Sequence, residues 1–364
     1  MISTTLNRYI FRKSLMMIVY FCLGASAITF LADFTEFANR NGDLPEFSAG
    51  LAATAVMLRV PFILQIAIPF IILFATIATL IGLNQKYELV IARASGVSAW
   101  QFLRPVWLAA LIAGLFTVFV INPVASYGFS FAEQIEGEWR SKPSGNPLTA
   151  REYPWLRQTG EDGGSILIGA RRSAQGGLTL FQPSFLEIDA DGELVRRIDS
   201  NEARLAGGEW QLQNATVTRP GEVPESLGQM QIASTLDEAV VTDSLSPPEM
   251  VPFLSLPKQI DTAQSFGIAA YPFRMHWHSL IALPALLVVM TLIAATVSLR
   301  FARFGQSASM ILGGIIAGFA LYVVISIAKS FGSAGLISPV VAAWFPVVAG
   351  GMFGTTFLLY REDG

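Results

Sequence analysis

Residues 55–82 read AVMLRVPFILQIAIPFIILFATIATLIG, an apolar run that contains a single charged residue, Arg59. A transmembrane α-helix needs roughly 20 mostly apolar residues to cross the hydrocarbon core of a bilayer. This run is longer than that. Its prolines, Pro61 and Pro69, are compatible with a span because neighbouring helices can satisfy the carbonyls that proline leaves free. The stretch therefore predicts a protein that lies in a membrane.

The rest of the chain has the same character. Of 364 residues, 52% are hydrophobic and only 14% are charged, which is too apolar for a soluble chain of this length. Together with residues 55–82, five further runs predict six spans, three on each side of a polar segment. The five runs are residues 14–32, 102–121, 279–299, 308–328 and 338–359.

The first run has an alternative interpretation. Arg12 and Lys13 precede it, and Ala25-Ser26-Ala27 resembles a signal-peptide cleavage site. The run continues through Leu31 and is longer than the apolar core of a signal peptide, which favours an uncleaved span.

Basic residues predict the orientation of the spans, because short cytoplasmic loops collect Lys and Arg. The polar segment of residues 122–271 is then on the outer side, as is the acidic loop of residues 33–46. The basic residues that mark the cytoplasmic face are Arg8, Arg12, Lys13, Lys86, Arg93, Arg104, Arg300, Arg303 and Arg361.

The polar segment between the third and fourth spans predicts β-strands. Short alternating runs cover residues 165–170, 178–188, 194–198 and 209–218, and Asp191-Gly192 is a hairpin turn signal. In the last run, alternation predicts Trp210, Leu212 and Asn214 on one face and Gln211, Gln213 and Ala215 on the other. A series of short antiparallel strands favours a sandwich or jelly roll. The predicted fold class is a six-span, 3+3 helical membrane protein with an inserted all-β, jelly-roll-like domain.

The sequence lacks the motifs of an enzyme. It has no Gly-x-x-x-x-Gly-Lys-Ser/Thr phosphate loop, so ATP hydrolysis would have to come from a partner. The polar segment contains no histidine, no cysteine and no nucleophile elbow, and no cofactor is expected. Cys22 is the only cysteine, which excludes an intramolecular disulfide. We interpret His276 and His278 as interfacial residues beside Trp277 rather than metal ligands, because a third ligand is not evident.

The connection between spans two and three, residues 84–98, reads NQKYELVIARASGVS and favours a helix as far as Gly96. One interpretation is a loop on the membrane surface. The other is a coupling helix that docks on a soluble ATPase, with charged contacts from Glu88 and Arg93 and apolar anchors at Leu89 and Val90. The candidate coupling residues are Glu88, Leu89, Val90, Arg93 and Gly96.

The run ELVIARASGVS at residues 88–98 resembles the coupling-helix signature of the lipopolysaccharide export permeases, the LptF/LptG family. Arg8-Tyr9-Ile10, the 3+3 arrangement of spans and the inserted β domain match as well, so the resemblance covers nearly the whole chain. Residues 317–323 and the Leu336-Ile337-Ser338-Pro339 entry to span six look more like the LptG member.

The resemblance implies an ABC transporter of the bacterial inner membrane that extracts lipopolysaccharide from the outer leaflet. Its expected partners are an LptF-like permease in a heterodimer, an LptB-like cytoplasmic ATPase dimer and an LptC-like bitopic bridge protein. The implied domains are residues 1–122 with spans one to three, a periplasmic β domain at 123–270 that hands lipid to the bridge, and residues 271–364 with spans four to six. The competing functions are a permease of another ATP-driven lipid or lipoprotein exporter and a membrane scaffold.

Separate residues are predicted to contact the head group and the acyl tails of the lipid. A phosphorylated head group needs cations near the outer boundary of the membrane, and Arg40, Arg59 and Lys329 are the candidates. For the tails, the candidates on spans one and five are Phe30, Phe319 and Tyr322, with ordinary helix packing as the alternative. Relatives often carry several lysines in the first outer loop, whereas this chain has Asp33, Glu36 and Asp43 with a single Arg40 there.

Overall fold

The computed structural model of the chain describes residues 2–42, 48–141, 151–159, 164–174, 177–189, 191–234, 247–265, 269–298 and 307–362. Asp43 and Glu46 of the predicted outer loop and Arg300 and Arg303 of the predicted cytoplasmic face lie outside these residues. The chain forms two compact units. A helical unit comprises Met1–Lys142 and Arg274–Gly364, and a β unit comprises Pro143–Phe273.

The helical unit contains the six long apolar helices that the sequence predicts. These candidate spans are helical segments of 22 to 37 residues, each long enough to cross a bilayer. A short helix, α3, lies between the second and third spans. The helices of this unit are α1 (Ile2–Asn41), α2 (Ala49–Gln85), α3 (Glu88–Ala94), α4 (Ala99–Phe116), α5 (Asn122–Ser141), α7 (Tyr271–Ser298), α8 (Ser307–Ser333) and α9 (Pro339–Glu362).

The third span is a composite of α4, a π-helical turn at Thr117–Ile121, and α5. Asn122 follows the π turn and is buried, and its side-chain amide donates a hydrogen bond of 3.3 Å to Oε1 of Gln65 on α2. This bond satisfies two amides that would otherwise be costly in an apolar setting. The helix then continues to Ser141, well past Asn122, where the sequence places the start of the inserted domain.

Glycines let several spans approach closely, as small residues commonly do in membranes. A Cβ at Gly314 of α8 would lie 2.6 Å from Cδ1 of Ile77 on α2, and Gly318, one turn later, faces the same helix. A Cβ at Gly350 of α9 would lie 2.9 Å from Cγ1 of Val289 on α7. Larger residues at these positions would require the facing side chains of α2 and α7 to shift.

The β unit is built from one antiparallel sheet whose strands follow each other as hairpins. β4 and β5 lie end to end, and both pair with β3 on one side and with β6 on the other. β7 pairs with the opposite edge of β6. The predicted turn at Asp191-Gly192 is confirmed, with Gly192 at φ 88°. The strands are β1 (Arg151–Thr159), β2 (Ser165–Ala174), β3 (Thr179–Ile188), β4 (Leu194–Asp199), β5 (Glu202–Ala206), β6 (Glu209–Thr218) and β7 (Glu225–Ala233), and the helix α6 (Leu256–Ser265) follows them.

A line of unusual backbone crosses the middle of this sheet. Gln182 on β3 and Asn214 on β6 have φ of 50° and 53°, and Asn201 between them accepts from the Gln182 amide and donates to Gln213. Left-handed residues change which face the next side chain occupies. The predicted alternation of β6 is therefore wrong beyond Gln213: Asn214 is exposed, whereas Ala215 is buried with Trp210 and Leu212.

The core of the β unit lies on one face of the bent sheet. Its largest members, Phe185 and Trp210, are fully buried and meet edge to face at 5.9 Å between ring centroids. The outermost described strands also meet, because the buried side chain of Gln158 on β1 donates to the Ala233 carbonyl and accepts from Ser234 at the end of β7, each at 3.1 Å. The sheet is therefore curled, so that its two outer strands are joined.

Candidate functional site

The short helix α3 has well-defined ends. Tyr87, with φ 55°, reverses the chain after α2, and Gly96, with φ 85°, terminates α3. The Gly96 amide donates to the Arg93 carbonyl at 2.9 Å and the Val97 amide donates to the Ala92 carbonyl at 3.1 Å. These two bonds are the Schellman arrangement, which satisfies carbonyls left free at a helix C-terminus. The predicted helix stop at Gly96 is thereby confirmed.

The two sides of α3 differ sharply. Leu89 is 7% exposed and packs into a cluster with Ile10 of α1, Leu83 of α2 and Phe102 of α4, whereas Ile91 is 66% exposed. Val90 is also exposed. Leu89 therefore anchors α3 to its own chain, and the outward apolar side belongs to Val90 and Ile91 rather than to the predicted pair of Leu89 and Val90.

Charged residues mark both ends of α3. Glu88 is its first residue and Arg93 lies in its last turn, the distribution that suits the partial charges at helix termini. Glu88 also contacts α1: its Oε1 accepts a hydrogen bond of 3.1 Å from the Tyr9 hydroxyl, and its Oε2 is 3.5 Å from Nζ of Lys13. Four of the predicted coupling residues thus lie on one short helix, Gly96 forms its C-terminal stop, and Glu88 fastens the helix to the first span.

The sequence matches a known family. Residues 8–361 match the family described as lipopolysaccharide export system permease LptF/LptG, and this match covers nearly the whole chain. The chain belongs to the LptF/LptG family. Comparison with curated proteins gives no match. The family match does not separate LptF from LptG, so the closer likeness of this LptF/LptG chain to LptG stays a prediction.

The head-group candidates of this LptF/LptG permease lie in different surroundings. Arg40 is exposed near the end of α1 and pairs with Glu36 one turn earlier. The Arg59 guanidinium carbon is 5.7 Å from the ring centroids of both Phe37 on α1 and Phe129 on α5, a cation–π arrangement that ties three helices together. Lys329 is exposed on α8. The structure therefore gives Arg59 a packing contact in addition to its charge.

The three candidate residues for contact with lipid tails differ in their exposure. Phe30 is half-buried and stacks on Phe34 of the same helix at 6.0 Å, and Tyr322 on α8 packs against Phe70 on α2 at 5.1 Å. Phe30 and Tyr322 therefore have the contacts expected of ordinary helix packing, which is the alternative to a role in binding lipid tails. Phe319 is exposed, so among the three it is the one most open to lipid.

The membrane-crossing parts of the first and fifth spans are the least buried of the six. Within their most apolar windows only 6% and 11% of residues are buried, against 78% in the fourth span. A helix that is apolar all round and little buried presents its surface to lipid or to another membrane protein. These two helices therefore form the outward surfaces of the helical unit.

Two contact residues, Tyr9 and Lys13, are absent from the predicted site. From the sequence, Tyr9 is interpreted only as part of the Arg8-Tyr9-Ile10 segment, and Lys13 only as one of the basic residues that predict the orientation of the spans. The spacing of 6, 9, 10 and 13 places Leu6, Tyr9, Ile10 and Lys13 on one helix face, which is a weak local signal. Nothing in the sequence pairs that face with Glu88, which is 79 residues from Tyr9.

Proposed function

We propose that this chain is the permease subunit of an ABC transporter that extracts lipopolysaccharide from the outer leaflet of the bacterial inner membrane and passes it to a periplasmic bridge. The observation that carries the proposal is the LptF/LptG match over residues 8–361, combined with an exposed, capped α3 between spans two and three. Its partners are an LptF-like permease in a heterodimer, an LptB-like ATPase dimer and an LptC-like bitopic protein.

The surface of α3 suits a protein partner on the cytoplasmic side. Val90 and Ile91 are apolar and exposed, and Arg93 adds a charge in the last turn. Exposed apolar groups rimmed by charge are typical of protein interfaces. Leu89 holds the helix to the spans, so that a force applied by a docked ATPase reaches the membrane part of the chain.

The outward surfaces of spans one and five suit a lipid and a second permease. The outer half of α1 presents an open apolar face with Ile28, Leu31 and Ala32 that ends in polar Thr35 and Glu36. An acyl chain can lie along the apolar part while a polar head group remains at the boundary. On this proposal the β unit is periplasmic.

Photo-crosslinking in living cells tests the proposal. A photoreactive amino acid replaces Leu31 on span one or Phe319 on span five, both of which are exposed. We expect a lipopolysaccharide adduct at both positions, and fewer adducts when the partner ATPase is active, because transport removes the lipid from these surfaces. The matched control is Tyr360, which is exposed near the end of the sixth span that we predict to be cytoplasmic.

The adducts also separate the competing functions. A lipoprotein adduct of distinct mass would indicate another exporter. Adducts with protein alone at Leu31 and Phe319 would indicate a scaffold or a permease interface, and equal lipopolysaccharide capture at Tyr360 would refute the predicted orientation.

A further inference from the structure

The cytoplasmic end of α1 meets α3 through one helix face. Ile10 is buried and Leu6 is partly buried in the same cluster as Leu89, while Tyr9 and Lys13, at the same helical spacing, flank that cluster and reach Glu88. An apolar contact and a polar contact therefore join the same two helices at adjacent points. Two separate points of attachment restrict rotation of one helix against the other more than a single contact does.

The polar contact is a closed set of three groups. The Tyr9 hydroxyl donates to Oε1 of Glu88 at 3.1 Å, and Nζ of Lys13 donates to the Tyr9 hydroxyl oxygen at 3.4 Å. Nζ of Lys13 is also 3.5 Å from Oε2 of Glu88 and 5.4 Å from the Tyr9 ring centroid. The side chains of Lys13 and Glu88 are only 20% and 30% exposed. Charge-assisted contacts that are partly shielded from water are stronger than exposed surface pairs.

We infer that Tyr9, Lys13 and Glu88 form a clasp that makes α3 and the first span move as one body. The inference rests on the proposed function, in which a partner ATPase acts on α3. Glu88 is then a positioning residue that works within the chain, by holding α3 against α1, and the ATPase is contacted by the outward residues Val90 and Ile91. Movement imposed on α3 passes directly to span one.

The burial of α1 supports this route. The membrane-crossing part of α1 is the least buried of the six spans, with 6% of its most apolar window buried, whereas Ile10 and Ser14 near its cytoplasmic end are buried. Phe37, near the other end of α1, is buried against α2 and α5, so α1 is held near both ends and is least enclosed between them. Because the clasp lies at one of the held ends, a displacement of α3 is expected to shift the middle of span one, where the fewest packing contacts oppose it.

A charge exchange in the complete transporter tests the clasp. The variants are Lys13→Glu, Glu88→Lys and the double variant, each assembled with its partner permease and ATPase. We expect each single variant to bind the ATPase and hydrolyse ATP while lipopolysaccharide released per ATP falls about tenfold, the loss expected for a charge-assisted contact. The double variant restores most of that ratio, because the pair re-forms and the tyrosine hydroxyl can accept as well as donate.

Two further variants sharpen the test. Tyr9→Phe removes one oxygen atom and is expected to lower the ratio by less than the charge reversals do, with assembly unchanged. Arg12→Glu reverses an exposed charge next to Lys13 and is expected to leave the ratio unchanged. Recovery in the double variant cannot arise if Glu88 acts directly on the ATPase, since Lys13→Glu would not restore that contact.

The clasp is refuted if the double variant is no better than Glu88→Lys alone, or if Lys13→Glu leaves lipopolysaccharide released per ATP unchanged. Hydrogen exchange of the α3 amides in the same complexes measures the clasp without transport: it should rise in each single variant and return in the double variant. A wild-type complex that releases no lipopolysaccharide while exchange follows this pattern would refute the proposed function and leave the clasp intact. Unchanged exchange in all variants would refute the clasp alone.

Discussion

Replacing Gly96 by alanine is expected to loosen α3 without touching any neighbouring side chain. Gly96 has φ 85°, and a Cβ built on it meets nothing within 4 Å, so the cost is confined to the backbone. A left-handed conformation costs a residue with a Cβ about 1–2 kcal/mol. That energy lowers the equilibrium constant for closing the helix end by a factor of roughly 5–30.

Hydrogen exchange measures this equilibrium at individual amides. The Val97 amide donates to the Ala92 carbonyl and is exchangeable only when the helix end opens. We expect its protection to fall by the same factor of roughly 5–30 in Gly96→Ala. Gly96→Asn should lose less protection than Gly96→Ala, because asparagine tolerates the left-handed region, and Gly96→Val should lose more protection.

Gly82→Ala supplies the matched control. Gly82 lies within α2, and a Cβ there also meets nothing within 4 Å, but its backbone is not left-handed. Alanine in a helix is more favourable than glycine by roughly 0.5–1 kcal/mol, so this variant should be neutral or slightly stabilised. Equal protection in Gly96→Ala and wild type, or lower protection in Gly96→Asn than in Gly96→Ala, would contradict the role of the left-handed turn.

One substitution in each unit tests its packing. A Cβ at Gly114 would lie 2.6 Å from Cα of Pro284, so Gly114→Ala should separate α4 from α7 and cost about 1–3 kcal/mol of stability. The measurement is the melting temperature of the solubilised transporter, which should fall in Gly114→Ala but not in the control Gly24→Ala, where a Cβ meets nothing within 4 Å. Trp210→Ala removes a fully buried ring from the β unit and should cost about 3–5 kcal/mol, measured as faster proteolysis of that unit, whereas Val223→Ala at an exposed turn should leave the cleavage rate unchanged.

The sequence by itself determined the elements whose rules are local. The six spans follow from apolar runs because the thickness of a bilayer sets the length of a helix that can cross it. The Asp191-Gly192 turn and the stop at Gly96 follow because their backbone has φ above zero, which glycine adopts without strain. The family signature at residues 88–98 likewise lies in one uninterrupted stretch.

The tertiary structure decided which faces meet. Whether Leu89 or Ile91 faces the spans depends on how α3 lies against α1, α2 and α4, and the contact of Glu88 with Tyr9 joins residues 79 positions apart. The reversal of alternation at Asn214 on β6 depends in the same way on the bend that it shares with Gln182 on β3, across the intervening strands. Such contacts depend on the packing of whole elements, and an amino-acid pattern along one segment carries no record of the surface that covers it.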